Sequence, residues 1–212
     1  MMNADESKLI NRAIQGNLDA FNNLVLIYQS MVYNTALRIV NDSQKADDLA
    51  QTAFISAWQH MENFKGGSFK PWILRITINA CYDELRRLRR HGTVPLEPVS
   101  PEDNEENEDA YWLIDPSMQP KEASEKNETM EAVAECLKTL PEDYRTVMVL
   151  IDIQEMNYQE AADVIQKPLG TVKSRLLRAR MRMRTCLQRK GELFRGDQRN
   201  MSEEQTAYET DV

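Results

Sequence analysis

The strongest constraint on this chain lies in NYQEAADVIQKPLGTVKSRLLRARMRMR, Asn157 to Arg184. Asn157 is an N-cap residue, and Glu160 three positions on completes a capping box. Tyr158, Ala161, Ala162 and Ile165 then fall at i, i+3, i+4 and i+7, one buried stripe on a helix. Gln166-Lys167-Pro168-Leu169-Gly170 interrupts that helix, because proline lacks an amide hydrogen and glycine costs backbone entropy. Thr171 is placed to cap a second helix, whose inward face repeats at Val172, Leu176, Ala179 and Met183. Lys173, Ser174 and Arg178 fall on the outward side. Two short helices, a sharp turn and a basic outer face make a helix-turn-helix shaped for the major groove of DNA. An ordinary helical hairpin with a solvated basic face has the same pattern.

The net charge of −8 over 212 residues is unusual for a DNA binder. The charge is unevenly spread, however. Thr93 to Glu125 carries −9 and Glu192 to Val212 carries −4, which leaves +5 on the rest. The first of these stretches is rich in proline and acid and buries too little apolar surface to offset its ordering entropy, so it reads as a disordered linker. Within it Tyr111 to Ile114, YWLI, is the one sticky run. The boundaries that follow are an N-terminal helical domain over residues 1–92, the acidic linker over 93–125, a second helical domain over 126–190, and a disordered tail over 191–212. Both domains are small enough to be single-core units.

No stretch approaches the roughly 20 apolar residues of a membrane span, and no signal peptide precedes the first helix. Cys81, Cys136 and Cys186 are scattered and odd in number, which fits free thiols in a reducing cytoplasm better than a disulfide framework. His60 and His91 are isolated, so local spacing assembles no zinc site. No cofactor is expected.

The N-terminal domain is expected to be helical throughout. Leu9, Ile10, Ala13 and Ile14 mark a short first helix. Asp19 is positioned to cap a longer one, with Phe21, Leu24, Val25, Tyr28, Met31, Val32, Ala36 and Ile39 inward. After Asn41-Asp42-Ser43, the residues Ala46, Leu49, Ala50, Ala53, Phe54, Ala57 and Trp58 form a clear apolar stripe. Its outward face carries Gln44, Asp48, Gln51 and Ile55, with Asp47 at the margin. An acidic and amide face interrupted by an exposed isoleucine points to a protein contact; a solvated face is the plain alternative.

The loop Met61 to Ser68 leads into a helix from about Phe69 to Arg90. That helix sets Phe69, Trp72, Tyr82 and Asn79 among Lys70, Arg75, Arg86, Arg87, Arg89 and Arg90. Rings beside positive charge suit an unpaired base and its phosphates, and an amide such as Asn79 can read a base edge. Phe69 and Trp72 also fit a core role, since Ile73 and Ile76 beside them are apolar.

Three segments occur in a fixed order: ADDLAQTAFISAW (Ala46 to Trp58), FKPWILRITINACYDELRR (Phe69 to Arg87), and LPEDYRTVMVL with NYQEAADVI and PLGTVKSRLLRAR (Leu140 to Arg180). From about Leu9 to Lys190 the chain closely resembles a bacterial RNA polymerase sigma factor of the extracytoplasmic-function (ECF) group, the two-domain sigma-70 type. The resemblance implies an all-α fold and a non-catalytic role. It implies binding to core RNA polymerase and to promoter DNA, as duplex and as non-template single strand, in response to stress or envelope signals. It also implies an anti-sigma partner, no membrane insertion and a cytoplasmic location.

Residue by residue, the helix matching Ser43 to His60 docks on the polymerase clamp, with Asp47, Asp48, Gln51 and Ile55 on the contact face. The loop matching Met61 to Ser68, with Asn63, Phe64 and Lys65, captures a flipped base of the minus-10 element. The helix matching Phe69 to Arg90 lines that strand through Phe69, Trp72, Arg75 and Asn79. At the minus-35 element Lys173, Ser174 and Arg178 match groove contacts, while Thr171 and Arg175 match backbone positions. The linker threads toward the RNA exit path. Two rival readings are weaker. A stand-alone helix-turn-helix regulator of the two-component type would need an α/β receiver before it, and no alternating strands are visible. An enzyme built on Asp47 and Asp48 would need a shared metal, yet adjacent helical residues point about 100° apart.

Overall fold

Short polar side chains start three of the helices by accepting amides that a first turn leaves unpaired. In the computed structural model the backbone is described over residues 4–91 and 120–208, and side chains over 5–90 and 129–191. Helix α1 spans Ala4–Ile14, and α2 spans Leu18–Val40. The cap of α2 is Asn17, whose Oδ1 accepts from Ala20 N at 2.8 Å; Asp19 lies inside the first turn, where its charge suits the helix dipole. Asn41, at φ 56°, closes α2 by donating to the Leu37 carbonyl. Asp42 then caps α3 (Ser43–Gln59) through the Lys45 amide at 2.9 Å. A 3-10 turn, Met61–Asn63, leads to Gly66 and Gly67 at φ 89° and 91°, a conformation that favours glycine. Helix α4 spans Phe69–His91.

The second half comprises α5 (Pro120–Lys138), α6 (Glu142–Met148), a π turn (Val149–Ile153), α7 (Tyr158–Ile165) and α8 (Leu169–Tyr208). No strand occurs among the described residues, so the expected all-α architecture holds. The capping box on α7 forms as expected: Asn157 Oδ1 accepts from Glu160 N at 2.9 Å, and Glu160 Oε2 accepts from Asn157 N at 3.0 Å. The turn after α7 is shorter than expected. Gln166 takes φ 54°, and the Pro168 carbonyl accepts from Thr171 N and Val172 N at 2.9 and 3.2 Å. Thr171 is therefore inside α8 rather than at its cap.

Three other expectations are corrected. Helix α5 begins at Pro120, inside the stretch read as linker, because proline is at ease in a first turn and the residues after it are good helix formers. Residues 93–119 of that linker, YWLI included, lie outside the described residues. Helix α8 continues to Tyr208 instead of giving way to a disordered tail at Gly191; no proline stops it, and a lone glycine inside a helix costs only about 1 kcal/mol. The cysteines are not all free. Cys136 of α5 and Cys186 of α8 form a disulfide with Cα atoms 5.7 Å apart, and only Cys81 remains a thiol, pushed up to about 12 by burial. A sequence separation of 50 gives no hint that two helices cross at these positions.

Helices α1 to α4 enclose one apolar cluster, including Leu24, Val32, Phe54, Phe64, Phe69 and Ile73. A second cluster is shared between the domains. Ala36 and Ile39 of α2 and Leu74, Ile78 and Cys81 of α4 pack with Leu150, Met156, Ala161 and Ala162 and with Val172 and Leu176 of α8. Two self-contained cores were expected; the structure joins them. Polar ties cross the same boundary. Lys70 Nζ donates to the Gln154 carbonyl at 2.6 Å, and Gln154 Nε2 donates to the buried Thr35 Oγ1 at 3.1 Å. Arg145 Nη1 donates to the Ile39 carbonyl at 2.8 Å, where the end of α2 has no amide partner to offer.

Candidate nucleic-acid interface

The outward face of α8 follows from its inward one. Val172, Leu176, Ala179 and Met183 are all buried, so residues a third to half a turn away must face water. Lys173, Ser174 and Arg178 are exposed there, as expected. Ser174 Oγ donates back to the Thr171 carbonyl at 3.0 Å, while Thr171 itself is half-buried. Arg175 departs from expectation. Its guanidinium is turned into the domain and donates to Asp143 Oδ2 of α6 at 2.6 Å, so in this conformation it ties α6 to α8.

Tyrosine and aspartate side chains from other elements lie beside the other basic groups. Arg178 Nη1 reaches the Tyr144 hydroxyl at 3.4 Å, and the Arg182 guanidinium lies 5.5 Å from the same ring. Lys173 Nζ lies 6.0 Å from the centre of the Tyr158 ring. Tyr158 was expected in the buried stripe of α7 but is exposed, since it sits in the first turn at the surface edge. Arg180 makes a two-point contact with Asp152, at 3.1 and 2.5 Å. Helical periodicity cannot find such partners, because each comes from another element.

The aromatic face of α4 is different. Phe69 is fully buried and Phe64 is 6 % exposed, so neither is available to a nucleic acid in this conformation. Both were expected to touch the strand. Their burial follows from the loop: the 3-10 turn folds Phe64 back onto α4, and its ring meets Trp72 edge-on at 5.1 Å. Trp72, half-buried, also lies 5.5 Å from Phe69. It is the one ring of the three with surface left to offer. Asn63, Lys65, Arg75 and Asn79 are all exposed around this cluster.

On α3, Gln44, Asp47, Asp48, Gln51 and Ile55 are exposed, with Ile55 at 60 %. Gln51 Nε2 donates to Asp47 Oδ2 at 2.9 Å, which leaves the Asp48 side chain outward. Tyr33, Ser43, Gln44, Asp47 and Asp48 line an open depression of about 660 Å³. Among the described residues no group of three His, Cys, Asp or Glu side chains could hold a metal ion, and no helix is long and apolar enough to cross a membrane.

Comparison with known proteins finds two family matches along the chain. Sigma-70 region 2 matches residues 24–91, and Sigma-70 region 4 matches residues 130–183. The chain is 37% identical to the RNA polymerase sigma-H factor of Pseudomonas aeruginosa over 184 residues, covering 86% of this chain and 94% of that one. It is 32% identical to the ECF RNA polymerase sigma-E factor of Escherichia coli K12, covering 81% and 88%. It is 30% identical to SigW of Bacillus subtilis, covering 85% and 95%. Among solved structures, CnrH in complex with the cytosolic domain of CnrY superposes with a TM-score of 0.60 at 25% identity, over 88% of this chain and 98% of that chain. RpoE in complex with the anti-sigma factor NepR from Bartonella quintana has the same TM-score, at 24% identity and over 81% and 98%. The chain belongs to the extracytoplasmic-function group of the sigma-70 family of RNA polymerase sigma factors.

Proposed function

We propose that this sigma factor binds core RNA polymerase through the outward face of α3 and reads promoter DNA with α8 and the loop–α4 surface. The observation that carries this is the arrangement of α3. Asp48, Gln51 and the 60 % exposed Ile55 share one surface, beside an acid-lined depression, without an internal partner that would explain an exposed isoleucine there. An apolar side chain ringed by acid and amide groups fits a basic protein surface with an apolar centre. On α8, Lys173, Ser174 and Arg178 read minus-35 duplex edges, while Arg175 orients the helix through Asp143. Asn63, Lys65, Arg75, Asn79 and the open side of Trp72 hold the minus-10 strand, with Phe64 and Phe69 supporting Trp72 from below.

The mechanism follows from what each surface can do. The duplex contacts set register. The loop surface then binds a base only after it leaves the stack, so its contact energy offsets the cost of unpairing. The chain supplies no catalytic group; bond formation belongs to the polymerase. It works in the cytoplasm, where the polymerase is. An anti-sigma protein holds it inactive, a reading that rests on membership of the extracytoplasmic-function group. Signals from stress or the envelope release it.

Asp48→Arg tests the central assignment. It places positive charge against a basic partner and should weaken binding to core polymerase by about 2 kcal/mol or more, with helicity and melting unchanged. Competition against labelled parent protein, followed by run-off transcription, reads the effect. Unchanged affinity would move the polymerase contact off α3.

A further inference from the structure

Neither Cys136 nor Cys186 belongs to a surface assigned above. Their disulfide joins α5 to α8 beyond the DNA-reading turns, and the Lys190–Glu135 ion pair joins the same two helices beside it. The two sulfurs differ in access. Cys136 is fully buried, whereas Cys186 is half-exposed and lines an open cleft of about 510 Å³ with Thr139, Met181, Arg182, Thr185, Arg189 and Lys190. Three of those neighbours are cationic and place positive potential at the one sulfur that solutes can reach, the setting in which thiol chemistry is fast. Cys81, by contrast, is buried with its thiol pushed up to about 12.

We infer that Cys136 and Cys186 are a reversible thiol–disulfide pair, with Cys186 as the attacking sulfur, Cys136 as the resolving one, and a low-molecular-weight disulfide as the oxidant. The Cys186 thiolate attacks the oxidant, forms a mixed disulfide and releases one thiolate. Cys136 gives up its proton to solvent and attacks the Cys186 sulfur. The Cys136–Cys186 bond forms and the second thiolate leaves, each released thiolate taking up a proton. The protein loses two electrons and two protons, and the oxidant becomes two thiols. Reduction runs the same path backwards, starting at Cys186.

What the pair controls follows from the position of α5. This helix receives the chain from the 92–119 segment and packs against both α8 and α2 of the other domain. Oxidation fastens it to α8 across a loop separation of 50 residues. Reduction leaves it held by Ala132, Leu137 and Leu140 and the Glu135–Lys190 pair. The redox state therefore sets how firmly α5 is attached without touching Lys173, Ser174 or Arg178. That the switch operates in a reducing compartment, where protein disulfides are transient, rests on the proposed role with RNA polymerase; the thiol chemistry does not.

The test uses the full chain in glutathione buffers of stepped ratio, quenched by alkylation and read by mass spectrometry at each cysteine. Cys136 and Cys186 should lose their label together and regain it on return to reducing buffer, while Cys81 stays fully labelled after denaturation. The Cys136→Ser chain should accumulate a glutathione adduct on Cys186, and the Cys186→Ser chain should accumulate none on Cys136. The oxidised parent should melt about 10 °C above the reduced parent, and this comparison needs no variant to fold. Independent titration of the two cysteines, an adduct on Cys136 instead, resistance to millimolar dithiothreitol in the folded state, or equal melting of the two forms would each overturn the inference. None of these readouts involves polymerase, so loss of the α3 assignment would leave them standing.

Discussion

The outward faces of α8 and α4 are held in place in different ways. On α8 most of the described basic groups rest on a neighbour: Arg175 on Asp143, Arg178 and Arg182 on Tyr144, Arg180 on Asp152, and Lys173 beside Tyr158. Around α4 the side chains of Asn63, Lys65, Arg75 and Asn79 make no hydrogen bond or ion pair among the described residues. There the order lies underneath, in the rings of Phe64, Phe69 and Trp72. A duplex presents a fixed lattice of donors and acceptors, so side chains already set in place lose less freedom on binding it. A single strand adapts its own shape and needs a stacking platform with mobile charges around it. The two faces thus suit the duplex and single-strand roles proposed for them above.

Removing the platform should have the largest effect. Phe69→Ala empties a fully buried site and should destabilise the first domain by about 3–5 kcal/mol in urea denaturation. Trp72→Ala should cost less stability, and should weaken binding of the opened minus-10 strand by about 1–3 kcal/mol. A Phe69→Ala chain of normal stability with poor strand binding would restore Phe69 as a contact and dissolve the contrast. Next in size, Arg178→Ala should cost about 1–3 kcal/mol at one minus-35 base pair and leave minus-10 preference alone, read by promoter selection with purified holoenzyme. Exchanging residues 61–68 for those of a relative should do the reverse.

A smaller effect separates preset from free side chains. Asp143→Ala releases Arg175 and should lower stability by no more than about 1 kcal/mol, since the pair is partly exposed, while weakening duplex binding several-fold. Asn79→Ala should leave stability within about 0.5 kcal/mol and alter only strand binding. Smallest of all is a difference between two helix caps. Asp42 is held below the usual carboxylate range, first by its hydrogen bond to the Lys45 side chain and then by the Lys45 amide. Its contribution to α3 is present above the ordinary aspartate value near pH 3.9 and is lost as pH falls through the lower folded value. Asn157, which caps α7, carries no charge. Amide exchange during acid titration should therefore show α3 loosening in a way that Asp42→Asn removes.

Where one helix buries one stripe, its pattern could be read before the structure. Val172, Leu176, Ala179 and Met183 face inward, and the Asn157–Glu160 box forms. The exposed set on α3 was legible for the same reason. Residue type was a poorer guide than period. Phe64 and Phe69 carry the rings that a strand would want, yet their place in the core depends on how the loop folds back onto α4. Asn17 and Asp19 are both good caps, and only the geometry of the turn selects Asn17. Composition misled at Pro120, where acid and proline suggested linker but also suit a helix start. The disulfide, the Arg175–Asp143 tie and the packing between domains are contacts between distant parts of the chain, and no local window contains them.

That last packing bears on how such proteins can be recombined. Ile39, Leu74 and Ile78 on one side and Met156, Ala161 and Ala162 on the other cover each other, with Gln154 and Thr35 bonded between them. A chimera that pairs the first half of one relative with the second half of another must match this seam as well as its promoter. A mismatch would leave buried amides unpaired and apolar side chains wet, at residues outside every proposed DNA contact. The halves therefore constrain each other's inheritance: exposed residues of α8 can be exchanged without disturbing the seam, but a whole half is not freely interchangeable.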